Sequence, residues 1–170
     1  MEYLDLTISQ LIPLLVFQTL TILVYGTYLS LRGIDLPLPS ISESYYSLKP
    51  TNQQNLFVLF MLLIGSPFLL YQSPWFFIGG SMFITVGVAA KFKDYSSTTD
   101  EVHYVAAISG ILACLIGLLS WGIVWPLLLM IIIGLTGFIY SGKNTIWWVE
   151  MGAILCIIGG VVEKMYRLLG

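Results

Sequence analysis

Residues 50–90 and 102–142 are two uncharged runs of 41 residues each, separated by a short polar interval, and a third uncharged run covers residues 6–31. A helix rises about 1.5 Å per residue and a bilayer core is about 30 Å thick, so each long run is roughly twice one crossing. Each therefore predicts a transmembrane hairpin. With residues 6–31 and 145–165, the pattern predicts an all-α fold: a polytopic membrane protein forming a six-transmembrane-helix bundle, one domain over residues 1–170. The expected spans are 9–31, 52–71, 74–91, 99–119, 123–140 and 145–166, with polar loops at 32–51 and 92–98.

Turn chemistry sets these limits. Pro13 falls in the first turns of span one, where a missing N–H does least damage, and Arg32 and Gly33 stop it. Residues 33–50 hold Pro37, Pro39 and Pro50 among Ser and Tyr, a composition that predicts the longest loop. Thr51 with Gln54, and Thr98 with Glu101, read as capping boxes for spans two and four. Ser73 and Pro74 read as an N-cap and a first-turn proline, which leaves a very short turn before span three. Residues 120–122 predict the second tight turn, Pro126 opens span five and Thr145 opens span six. At an offset of 52 the two hairpins share little beyond Gly65 with Gly117, so any repeat is architectural.

Small residues recur every fourth position at Ala106, Gly110 and Cys114, and again at Gly152, Cys156 and Gly160. Such faces let helix backbones approach closely in lipid, either within the bundle or in a homodimer. The composition, 58% hydrophobic and 9% charged with a net charge of -2, leaves too little polar surface for a soluble domain. It also holds no basic block for nucleic acid, so the partners expected are membrane lipids or a membrane protein. The placement expected is integral and multi-pass, in the inner or plasma membrane if the chain is bacterial. Residues 1–10 lack Lys and Arg and no small-residue cleavage site follows, so the first run is expected to persist as a helix. Arg32, Lys49, Lys91, Lys93 and Lys143 fall on one side and Lys164 and Arg167 on the other. That bias favours long loops in the cytoplasm.

The candidate chemistry gathers on the lysine-rich side: Ser40, Ser42, Glu43, Ser44, Tyr45 and Tyr46 in one loop, Asp94, Asp100, Glu101 and His103 in the next. His103 lies one helical turn after Asp100 and Thr99, an arrangement in which a carboxylate orients an imidazole for base or ligand work. A single histidine disfavours a histidine-rich zinc site, no spacing supports a Ca²⁺ or Mg²⁺ site from Glu43, Asp94 and Asp100, and no cofactor is expected. The serines sit in no Gly-x-Ser-x-Gly elbow. Cys114 and Cys156 read as packing residues, and Glu150, the one acidic residue well inside a span, as an interfacial carboxylate beside Trp147.

Pro39-Ser40-Ile41-Ser42-Glu43-Ser44, followed by Asn55 and Phe57, resembles the first-loop signature of the Frag/DRAM/Sfk superfamily of six-span membrane proteins. The run from His103 to Ala107 is similar to that family's His-containing start of the fourth span. The resemblance implies a lipid-associated membrane protein and singles out Ser42, Glu43 and His103, but carries over no catalytic set. It also implies a cytosolic N-terminus, opposite to the lysine count, and the Tyr45–Tyr46 pair departs from the glycine usual after the acidic residue.

Three functions compete. The first expectation is a non-catalytic protein that binds lipid headgroups or a membrane partner through its polar loops. The alternative is a membrane-embedded lipid hydrolase or transferase, with His103 as acid/base, Asp100 orienting it, and Ser42 or Glu43 as nucleophile or second carboxylate. A small-solute transporter ranks third: Gly79–Gly80 could break span three, but spans two to five carry no charged residue well inside them.

Overall fold

Proline and glycine punctuation becomes helix ends as expected. Pro74 starts one helix, with Phe77 N–H donating to Ser73 O at 2.9 Å, and Pro126 falls in the first turn of another. Gly122, at φ +72°, makes the turn between that helix and the one before it. The computed structural model describes residues 7–92, 98–139, 142 and 144–170, and these are all-α. Seven helices follow in order: α1 (Ile8–Leu31), α2 (Glu43–Leu48), α3 (Asn55–Leu69), α4 (Pro74–Phe92), α5 (Thr98–Ser120), α6 (Trp125–Ile139) and α7 (Thr145–Leu169).

Among the described residues, three segments are long and apolar enough to cross a membrane: Ser9–Leu31, Glu101–Ser120 and Thr145–Leu169. The other three expected spans correspond to shorter apolar helices, Asn55–Leu69, Pro74–Ala90 and Trp125–Gly137. By length and composition, then, three of the six expected spans qualify. At 15 residues, α3 and α6 each reach only about 22 Å.

Local chemistry explains the shortening of α3. The Thr51 hydroxyl donates to Leu48 O at 2.9 Å rather than capping α3, and Asn52 takes a left-handed φ of 55°. The helix therefore opens at Asn55, with no side-chain cap, instead of at residue 52. At its far end Gln72, φ 50°, turns the chain into α4. The loop expected at 32–51 is also partly helical, holding α2 and a 3-10 turn, Lys49–Thr51. Ser40 Oγ accepts the Glu43 N–H at 3.3 Å, which satisfies one of the donors a helix start leaves open. The Thr98 and Glu101 capping box rests on a Thr98 side chain outside the described residues; α5 does begin at Thr98.

α4 runs unbroken through Gly79 and Gly80 and lies between α3 and α5. Its neighbours approach it through glycine on both sides. A Cβ on Gly65 of α3 would stand 2.7 Å from Gly80 O, and one on Gly117 of α5 would stand 2.8 Å from the Phe76 ring. The Gly65–Gly117 correspondence between the two hairpins thus marks where α3 and α5 each meet α4. The two small-residue faces pack within the chain: Ala106 and Cys114 are buried, and Gly110 lies 3.1 Å, by its built Cβ, from Met82. Gly152 meets Ile133 and Gly160 meets Leu118. α1 packs on α3 and α7, and α6 mainly on α7.

Polar ties cross this apolar interior. Gln18, fully buried on α1, donates from Nε2 to Ile64 O at 3.0 Å and accepts the Tyr71 hydroxyl at 2.7 Å. At one end of the bundle, Trp147 N–H donates to Pro39 O at 3.2 Å. At the other, Arg167 pairs with Glu163 and donates from Nη1 to Gly122 O at 3.2 Å. The outer surface is apolar: Leu20, Leu23 and Val24 on α1, Ile131, Ile132 and Leu135 on α6, and Val105 and Ile108 on α5 are all exposed.

Candidate functional site

The end of the bundle that holds α2 gathers the residues singled out by sequence. Pro37, Pro39 and Pro50 confine any helix in this connection to a short piece, and the serines tie its start. Ser40 Oγ lies 3.0 Å from Ser42 Oγ, Tyr45 N–H donates to Ser42 O at 3.0 Å, and Ser44 Oγ donates to Ile41 O at 2.6 Å. With its one proton committed to Ile41, Ser44 accepts from the Tyr25 hydroxyl, 2.7 Å away. This fastens α2 to α1.

α7 holds the other edge. Glu150 Oε2 accepts the Ile41 N–H at 2.6 Å, a charge-assisted bond when the carboxylate is ionised, next to the bond from Trp147 to Pro39. Sequence reasoning placed Glu150 at the interface beside Trp147 but missed its partner. Its isolation as the one acid well inside an apolar span was the available signal.

Ser40, Ser42, Glu43 and Tyr46 then face Ala89 and Ala90 of α4 and His103 and Tyr104 of α5 across a small polar cavity of about 50 Å³. Ser42, Glu43 and His103, expected to meet over one mouth, line this single cavity. Ala89 and Ala90, which sequence reasoning did not single out, leave the room for it. Asp100 belongs to α5, but its side chain, like all of Asp94, lies outside the described residues.

His103 is nearly buried, and its Nδ1 lies 3.3 Å from Val86 O on α4. A carbonyl only accepts, so Nδ1 carries the proton, and in the neutral ring the acceptor lone pair belongs to Nε2. The backbone of α4 therefore orients the ring. Among the described residues no group of three or more His, Cys, Asp or Glu converges as metal ligands.

A cavity of this size admits one or two waters, or the terminal hydroxyl or ammonium of a larger molecule. Its walls offer hydroxyls, a carboxylate and an imidazole, and among the described residues no lysine or arginine lines it. Comparison with known protein families, curated proteins and solved structures finds no match to this chain.

Proposed function

We propose that the chain is a multi-pass membrane protein in which the six long helices form the bundle, and that the cavity between α2 and α5 binds the polar tip of a lipid headgroup without catalysing a reaction. The apolar outer surface supports membrane residence. Contiguous apolar patches of that extent are rare on soluble monomers, whereas lipid solvates them. α3, α4 and α6, the shorter three of the six, fit a bundle with a locally thin membrane or headgroup-level ends.

The observation that carries the headgroup reading is the joint lining of one cavity by Glu43, Ser42 and His103. A carboxylate beside hydroxyls recognises an ammonium or polyol group, and the site's small volume suits a tip rather than a whole substrate. The reading keeps the proposed kinship with the Frag/DRAM/Sfk superfamily, whose resemblance rests on these same residues. Native mass spectrometry of the full chain with retained lipid provides the test. We expect the parent to retain phosphatidylethanolamine over phosphatidylcholine, whose ammonium is methylated, and Glu43→Ala and His103→Ala to lose that preference. Equal retention by parent and variants would remove the site.

The lipid hydrolase or transferase reading draws on the same cavity, with His103 Nε2 as base toward Ser42. Headgroup release from lipid by the purified parent, abolished in Ser42→Ala, would favour it over simple binding.

A further inference from the structure

On the outer face of α1 and α3, Leu20, Val24, Leu56, Leu59 and Leu63 line an open groove of about 460 Å³, within the size range of small-molecule sites. Its polar groups are already committed. The Thr21 hydroxyl donates to Phe17 O at 2.8 Å, the Tyr25 hydroxyl goes to Ser44, and the Tyr28 hydroxyl donates to Gln53 Oε1.

One turn beyond Tyr28 stands Arg32. Its Nε donates to the Tyr28 hydroxyl at 3.1 Å, and its guanidinium lies over the Tyr28 ring at 5.4 Å from the centroid. The side chain is exposed and makes no ion pair among the described residues. A fixed cation thus closes one end of an apolar trough.

The geometry points to an anionic glycerophospholipid as the occupant, one acyl chain lying between α1 and α3 and its phosphate meeting Arg32. The lining from Phe17 to Tyr28 extends about 16 Å at the helical rise, close to one leaflet of a roughly 30 Å core, so Arg32 falls at headgroup depth. Guanidinium and phosphate are complementary in charge and in planar, bidentate geometry. A partner helix is the weaker candidate, because helices associate in lipid through small or hydrogen-bonding residues, and the groove's one small residue, Thr21, and its two tyrosines, Tyr25 and Tyr28, have their hydroxyls committed within the chain. The inference rests on the membrane reading and adds to it a second lipid site, separate from the polar cavity.

The test uses the detergent-purified full chain in native mass spectrometry with palmitoyl-oleoyl phosphatidylglycerol or phosphatidylcholine. Phosphatidylglycerol should be retained preferentially, and Arg32→Gln should reduce its retention about fivefold, the worth of one basic residue at an anionic membrane surface. Thr21→Trp, which fills the trough, should reduce retention of both lipids, whereas Lys164→Gln at the opposite end and Arg32→Lys should keep the preference. Equal retention of the two lipids, or retention indifferent to both Arg32→Gln and Thr21→Trp, would overturn the proposal, as would a disulfide-trapped homodimer across Thr21→Cys. Resistance of the membrane fraction to carbonate extraction is scored separately: a chain that stays in the membrane without the lipid preference refutes this site alone, and a chain that is extracted refutes the membrane reading.

Discussion

The closest approaches in the bundle are made where a side chain is missing. At Gly65 a methyl group would meet the backbone carbonyl of Gly80 at 2.7 Å and Ile84 Cγ1 at 2.9 Å, and a carbonyl in a helix cannot step aside. Gly65→Ala should therefore lower the thermal unfolding midpoint in detergent, at a cost of about 1–3 kcal/mol. Gly134→Ala in α6, where nothing lies within 4 Å of the new methyl, should hold or raise it, by up to about 1 kcal/mol of helix propensity. Gln18 and Tyr71 form the second residue-level feature. Tyr71→Phe leaves the buried Gln18 Oε1 without the hydroxyl it accepts from, a loss of about 1–3 kcal/mol. Adding Gln18→Leu should cost less than the sum of the two single changes, since no orphaned amide then remains. A double-mutant cycle in denaturant measures that difference.

At the scale of elements, α2 depends on contacts from outside itself. Six residues of helix are too short to persist alone, and Ser44–Tyr25 on one side and Ile41–Glu150 on the other hold the segment in place. Glu150→Leu should leave the Ile41 N–H unpaired and raise hydrogen exchange across residues 39–48 about tenfold or more, as expected for a hydrogen bond to a charged group worth roughly 1.5–3 kcal/mol. Exchange in α4 should stay unchanged. Proline and glycine made the start of α4, the end of α5 and the start of α6 legible beforehand, because Pro74, Gly122 and Pro126 act on their own backbones. The start of α3 was not legible: whether Thr51 caps forward to α3 or back to Leu48 depends on the turn that α2 delivers it from. Nor was α2 itself, whose anchors lie on α1 and α7.

For the whole molecule, antiparallel packing sorts the connections to two ends. Residues 39–44 meet the start of α7, and the α5–α6 turn at Gly122 meets the end of α7. In a background lacking Cys114 and Cys156, Ser47→Cys and Asn144→Cys should label from one side of the membrane, and Gln72→Cys and Gly122→Cys from the other. Membrane-impermeant maleimide on intact and opened vesicles reads this directly. Labelling of Ser47→Cys and Asn144→Cys from opposite sides would contradict the bundle.

The apolar runs and several of their ends were written in the linear sequence, because helix formation, proline and glycine effects and the avoidance of water by Leu, Ile and Phe act locally; the shorter lengths of α3 and α6 were not. The candidate residues Ser42, Glu43 and His103 were also legible, as polar positions at the ends of such runs. Only the tertiary structure decided that Glu150 holds Ile41 across 109 residues, that Val86 orients His103, and that Tyr71 completes Gln18. Each of those bonds joins groups from different segments of the fold, and a partner is selected by where packing brings the segments together, which local preference does not encode.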